Sequence, residues 1–133
     1  MSWQYLDLAD YLLIAEAVLG VPAERLADMP RVVNLAASAL AVPSSGWGGR
    51  DAYPDLTQKA GLLAARLTKN HPLPDGNKRV AWLAMIEFIE RNDHRLMQPD
   101  VDDAVDTMFR LAAGTLPEAD FVEWLRPRIT GIR

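Results

Sequence analysis

The segment Val80 to Ile89, "VAWLAMIEFI", is apolar almost all the way round a helical wheel. A helix of that pattern has no face to offer water, so other elements must enclose it on every side. Its neighbours along the chain carry the narrower stripes that such enclosure needs. After Asp7, a good N-cap, Leu8, Tyr11, Leu12, Ala15, Val18 and Leu19 recur at helical spacing until Gly20 and Pro22 close the segment. A second helical stretch starts near Ala23, and a third covers Arg31 to Ala41 before Pro43, with the boundary at Met29 and Pro30 left open. Asp55 caps the next, which places Leu56, Ala60, Leu63 and Leu67 on one stripe. Asn92 ends the central apolar helix. Asp100 begins another, with Asp103 in its first turn, Val101, Val105, Met108 and Ala112 on one face, and Gly114 beyond its end. Thr115 and Glu118 have capping-box spacing ahead of a last short helix through Leu125, stopped by Pro127. No segment reads as a period-2 strand and no internal repeat is visible. The expectation is an all-α chain, a compact helical bundle forming a single domain over 1–133.

Composition narrows the function classes. Half of the 133 residues are hydrophobic and 24% are charged, which suits an ordered globular protein rather than a disordered one. A net charge of −4 and a pI near 5.1 leave no broad basic face, so direct nucleic-acid binding is not expected. With no Cys there is neither a disulfide framework nor a thiolate metal site. The start, "MSWQYLDLAD", lacks a positive region ahead of an apolar core, and no apolar run approaches the ~18 residues of a membrane span, so a soluble, cytoplasmic protein without a membrane partner is expected.

Two stretches fall outside the helical pattern. Residues 43–54, "PSSGWGGRDAYP", hold three Gly, two Pro and two Ser around two aromatics, the composition of a loop with room for a short hairpin. It is too long for a plain connector, and composition leaves open whether Trp47 and Tyr53 fold back onto the core or serve a partner.

The second stretch is "HPLPDGNKR", His71 to Arg79, which links two core helices and opens the more buried one. The first turn of a helix presents free N–H groups and the positive end of the dipole, so an anion fits there, and Gly76 lets the chain pass close to it. Lys78 and Arg79 put two cations at the helix end where cations are locally unfavourable by ~0.3–1 kcal/mol each, a cost that a bound phosphate reverses. Asp75 offers a hard oxygen ligand for Mg²⁺, Asn77 adds side-chain donors, and the imidazole of His71 can take a proton from an incoming hydroxyl. Singly, each residue has an ordinary structural explanation. Together they compose an anion site suited to phosphoryl or nucleotidyl transfer, without saying which. The glycine spacing is not that of a P-loop.

At these residues the sequence resembles the Fic/Doc family, and within it the Doc, or death-on-curing, toxins of bacterial toxin–antitoxin modules. The Fic pattern runs His, any, Phe, any, Asp or Glu, Gly, Asn, Gly, Arg, two any, Arg. Here His71, Leu73, Asp75, Gly76, Asn77, Lys78 and Arg79 follow it, with Trp82 at the last place. Lys in place of the second Gly, and loss of the final Arg, are Doc features. The likeness extends through "GWGGRDAYPDL", "KAGLLAARLTKNHP" and "FIERNDHRL", so that it covers about residues 46–96. Leu73 departs from Phe, Val80 from a common Thr, and Asp93 from a common Gly after the helix. Trp82 reads as a core aromatic.

The resemblance implies a Fic/Doc-type bundle with a long flap loop. It implies His71 as catalytic base, Asp75 as Mg²⁺ ligand, and Gly76, Asn77, Lys78 and Arg79 as a cradle for the phosphates of ATP. Trp47, Gly48, Gly49, Arg50 and Tyr53 fall in the family's flap, which aligns a target polypeptide by strand addition. For the Doc branch the implied activity is a kinase that phosphorylates a Thr or Ser hydroxyl of a translation factor, elongation factor Tu above all, and so arrests translation. Fic-type AMP transfer and a catalytically silent binding subunit are the alternatives. Self-inhibited Fic proteins carry Ser or Thr, three residues, then Glu, and no Ser or Thr here has Glu four positions on. A separate Phd-like antitoxin, whose disordered tail folds into a groove of the toxin, is the partner that this implies.

Overall fold

Local capping decides where several helices begin. Asp7 accepts from the Asp10 N–H at 2.8 Å and Asp10 returns the bond to the Asp7 N–H at 2.9 Å, so a capping box opens helix α1, Leu8–Leu19. Gly20 closes it in the left-handed conformation. The short α2, Ala23–Ala27, leads to α3, Pro30–Leu40, with Pro30 in the first turn where its missing N–H costs nothing. After a hairpin of β1, Gly46–Trp47, and β2, Arg50–Asp51, a second capping box between Asp55 and Gln58 opens α4, Leu56–Asn70. Then come α5, Asn77–Arg91; β3, His94–Leu96; α6, Val101–Ala113, capped by Asp100; α7, Glu118–Leu125; and β4, Ile129–Gly131. This is a computed structural model that describes residues 2–131.

The core is shared by α4 and α5, and α5 is less enclosed than its pattern suggests: α4 buries ten of its fifteen residues and α5 seven, with Leu83 of α5 38% exposed, because neighbouring helices cover only part of its surface. Val80, Ala81, Ala84, Met85, Phe88 and Ile89 are buried. They meet Ala60, Leu63, Ala64 and Leu67 of α4 and Tyr11, Leu12 and Ala15 of α1 in one continuous core. At ~25 cal/mol per Å² of apolar surface, each large side chain enclosed there contributes about 1.5–3 kcal/mol before conformational entropy is subtracted. Among the described residues no helix is long and apolar enough to cross a membrane.

Several local expectations give way to tertiary structure. Among the described residues there are two antiparallel pairs, and one of them, β3 with β4 in the register His94 to Gly131 and Leu96 to Ile129, has no period-2 signature. The Thr115 and Glu118 capping box does not form: Pro117 is the N-cap of α7, the Thr115 hydroxyl donates to the Arg110 carbonyl at 3.3 Å, and Glu118 pairs with Arg66 of α4. On α6 only Met108 of the expected stripe is buried; Val101, Val105 and Ala112 stay exposed. That helix packs through Thr107, Met108 and Leu111, which turns the rest of its apolar face outward. Trp47 does not fold back on the core either, being 91% exposed, while Tyr53 is half-buried.

Candidate functional site

The chain between α4 and α5 is shaped by bonds that the residues themselves supply. His71 ends α4 with φ 52° and ψ 56°, a left-handed conformation that a residue other than glycine rarely adopts. Its carbonyl accepts from the Arg31 guanidinium of α3 at 3.3 Å, and Asn70 beside it donates to the Leu35 carbonyl at 3.1 Å. Leu73 is buried under the loop, filling the apolar place that the motif gives to Phe. Asn77 holds it there, bonding both the N–H and the carbonyl of Leu73. Gly76, with φ 73°, is the N-cap of α5, and a Cβ at that position would come within 3.0 Å of the Leu19 side chain of α1. Glycine is therefore needed twice over, for its backbone and for its size.

Among the described residues no side chain caps α5. The N–H groups of its first turn, residues 77–79, are left for a ligand or solvent, at the positive end of the dipole. Lys78 is half-buried and Arg79 exposed. The Lys78 ammonium lies 4.7 Å from the ring centroid of Phe109 in α6. The Asp75 carboxylate is exposed and accepts from the Gly76 N–H at 2.8 Å through one oxygen.

These residues share one cleft of about 800 Å³, within the usual range for small-molecule sites. His71, Asp75, Gly76, Asn77, Lys78 and Arg79 form one wall, Val101, Val105, Met108 and Phe109 of α6 the facing wall, and Val18 and Leu19 of α1 close the side. Trp82 also lines it, half-buried and tilted against Trp124 with centroids 6.2 Å apart, so it is a cleft-floor aromatic as much as a core one. The structure thus gathers His71, Asp75, Gly76, Asn77, Lys78, Arg79 and Trp82 in one cleft, while Leu73 of the same motif lies buried beneath the loop. It keeps the flap apart: Trp47, Gly48, Gly49 and Arg50 border a separate shallow depression on the hairpin. Gly48 at φ 60° and Gly49 at φ 79° form the tight turn between β1 and β2.

The Asn77 side chain is not free to donate to an anion, contrary to the expectation from sequence. It is buried and both of its ends are used on Leu73, so the contribution of Asn77 to an anion is the backbone N–H, while the side chain sets the loop. Three contributors were not legible as site residues. Arg31 steadies the His71 carbonyl from a distant helix. Thr68, one turn before His71, lines the cleft and carries the one buried side-chain polar atom among the described residues without a hydrogen-bond partner. The wall of α6 was visible as a stripe, but nothing local says that the stripe faces a cleft.

Fold and site together define a class: a helical bundle that brings a histidine, a carboxylate and two cations to a helix N-terminus without a side-chain cap among the described residues, with a hairpin elsewhere on its surface. The model of the Fic/DOC family matches residues 5–89. The chain is also 38% identical over 110 residues to the toxin Doc of Mycolicibacterium smegmatis, a match covering 82% of this chain and 81% of that protein. The chain belongs to the Fic/Doc family, as its motif implies. No solved structure gives a significant match.

Proposed function

We propose that this protein is a Doc-type toxin of a toxin–antitoxin module and acts as a protein kinase, moving the γ-phosphoryl group of ATP to a Thr or Ser hydroxyl of a translation factor, elongation factor Tu first among them. The observation that carries the reading is the position of His71 on the wall of the cleft that the uncapped, doubly cationic start of α5 also lines. In the transfer, the target hydroxyl gives its proton to the His71 imidazole as its oxygen bonds to the γ-phosphorus. The bond from that phosphorus to the β–γ bridging oxygen breaks, and ADP leaves. The N–H groups of 77–79, with Lys78 and Arg79, hold the phosphates and offset the charge that shifts onto the leaving group.

The donor set fits Mg²⁺ that arrives with the nucleotide. Asp75 has a second carboxylate oxygen that no other described residue bonds, and among the described residues no group of three or more His, Cys, Asp or Glu gathers as a protein-only metal site. One carboxylate plus substrate phosphates is the usual way such sites hold this ion. Asp75 would hold the Mg²⁺, which would supply charge neutralisation for the phosphates.

Trp82 stands where AMP-transferring relatives carry a second arginine, so the anion site has fewer positive groups than that orientation of ATP uses. The flap hairpin, with an exposed edge and Trp47 at its turn, suits strand addition by the target. The apolar side of α6 that lines the cleft, with Val101 74% and Phe109 57% exposed, suits an antitoxin segment that folds on binding. ATP labelled separately at the α and γ positions tests the reaction on purified elongation factor Tu: the kinase reading expects only the γ label on the factor, and transfer of the α label overturns it in favour of AMP transfer.

A further inference from the structure

Lys59 is the one fully buried charged residue among those described, 0% exposed. A lysine is almost never enclosed in this way unless its charge is matched. Here all three ammonium N–H groups are used: one donates to the Pro43 carbonyl at 2.7 Å, one to the Tyr5 hydroxyl at 3.2 Å, and one to the Asp51 carboxylate at 3.2 Å. The ammonium also sits against the rings of Trp3 and Tyr5, 5.0 and 5.4 Å from their centroids, and both rings stack on Phe88 of α5. The cation is therefore fixed to the core on one side.

On its other side it holds the flap by both roots. Pro43 begins the excursion that leads into β1, and Asp51 belongs to β2. The tip, Trp47 to Gly49, is exposed. A two-stranded hairpin is at best marginal by itself, so its direction depends on what anchors its base. The same helix that carries Lys59 in its first turn ends at His71, about 18 Å further along a rigid rod.

We propose that Lys59 is a positioning residue that fixes the flap relative to His71, so that a polypeptide added to the hairpin edge presents its hydroxyl at the imidazole. The assignment rests on the reading of the hairpin as target dock and of His71 as base. Without the ammonium the two roots lose their shared anchor, and the docked segment no longer arrives pre-aligned.

Two variants test it in the full chain. Lys59→Met keeps the length and apolar stem within the aromatic box and removes the charge; Asp51→Ala cuts the same link from its 42% exposed side and leaves the core intact, should the first fail to fold. Hydrogen exchange is followed across residues 45–52, where the Ala52 N–H bonds the Ser45 carbonyl, together with the KM for elongation factor Tu and the Kd for ATP. In both variants hairpin exchange is expected to quicken about tenfold while α5 stays protected, and the target KM to rise about tenfold with the Kd for ATP held within about twofold. A purely structural lysine would weaken α5 protection and both ligands together. Unchanged hairpin exchange, or faster exchange with an unchanged target KM, overturns the assignment while leaving the kinase reading intact. A wild-type protein that transfers nothing to the factor removes the kinase reading, and this assignment with it.

Discussion

Asn77 and Leu73 are bonded twice: the Asn77 side-chain carbonyl accepts from the Leu73 N–H at 2.9 Å, and its amide donates to the Leu73 carbonyl at 2.9 Å. One buried side chain thereby closes the loop that carries the motif onto the first turn of α5. Asn77→Ala leaves two buried main-chain groups unpaired, and at ~1–3 kcal/mol for each such group the variant is expected to lose about 2–4 kcal/mol of stability. Urea unfolding checks this as a lower midpoint with an unchanged slope. A loss below about 0.5 kcal/mol means that water replaces both bonds and that the clamp is not structural.

His71 holds a conformation that favours glycine, and its ring has no hydrogen-bond partner among the described residues. A left-handed residue other than glycine costs roughly 1–2 kcal/mol, against about 0.5–1 kcal/mol of extra unfolded-state entropy for glycine. His71→Gly is therefore expected to be more stable than wild type by about 0.5–1 kcal/mol, seen as a higher Tm, while transferring no phosphate. A lower Tm would show that the ring supports the fold.

Thr68 buries a hydroxyl that has no hydrogen-bond partner among the described residues. Thr68→Val replaces it with a methyl group of similar shape and should stabilise the free protein by about 1 kcal/mol. Denaturant unfolding reads the sign directly; destabilisation would reveal a partner for the hydroxyl, such as an ordered water.

Asp10 of α1 meets Arg91 of α5 through two bonds of 3.0 and 3.1 Å. The bonds from Arg91 hold the Asp10 carboxyl below its ordinary value of 3.8, against an opposing push from burial. A carboxylate whose pKa is depressed by folding adds stability above its unfolded pKa and loses it as pH falls through the folded value. Asp10→Asn should therefore be less stable than wild type at pH 7 by about 1 kcal/mol, for a partly exposed pair, and the gap should close below about pH 3.8. A gap that persists in acid assigns the effect to capping instead.

What the sequence reveals here is mostly what is local. Asp7, Asp55 and Asp100 mark helix starts because a cap needs only the next three residues. The site from His71 to Arg79 is legible because its members are contiguous and one helix start gathers them. The hairpin is legible in its Gly48–Gly49 turn, but its distance from the cleft is not. The pairing of β3 with β4 joins segments far apart in the chain and too short for a period to show. Glu118 looks like a capping residue until Arg66 arrives from another helix. Lys59 falls on the buried stripe of α4, between Leu56 and Leu63, and that spacing was the available sign of its burial; a reading by residue type puts a lysine in water.

His71 is proposed as the base for phosphate transfer to a protein hydroxyl. The most direct measurement is the intact mass of purified elongation factor Tu after incubation with ATP, Mg²⁺ and this protein, with His71→Ala in parallel. A gain of one phosphate with the wild-type protein and none with His71→Ala is the predicted result. A gain of one AMP, or a phosphate gain that persists in His71→Ala, would contradict it.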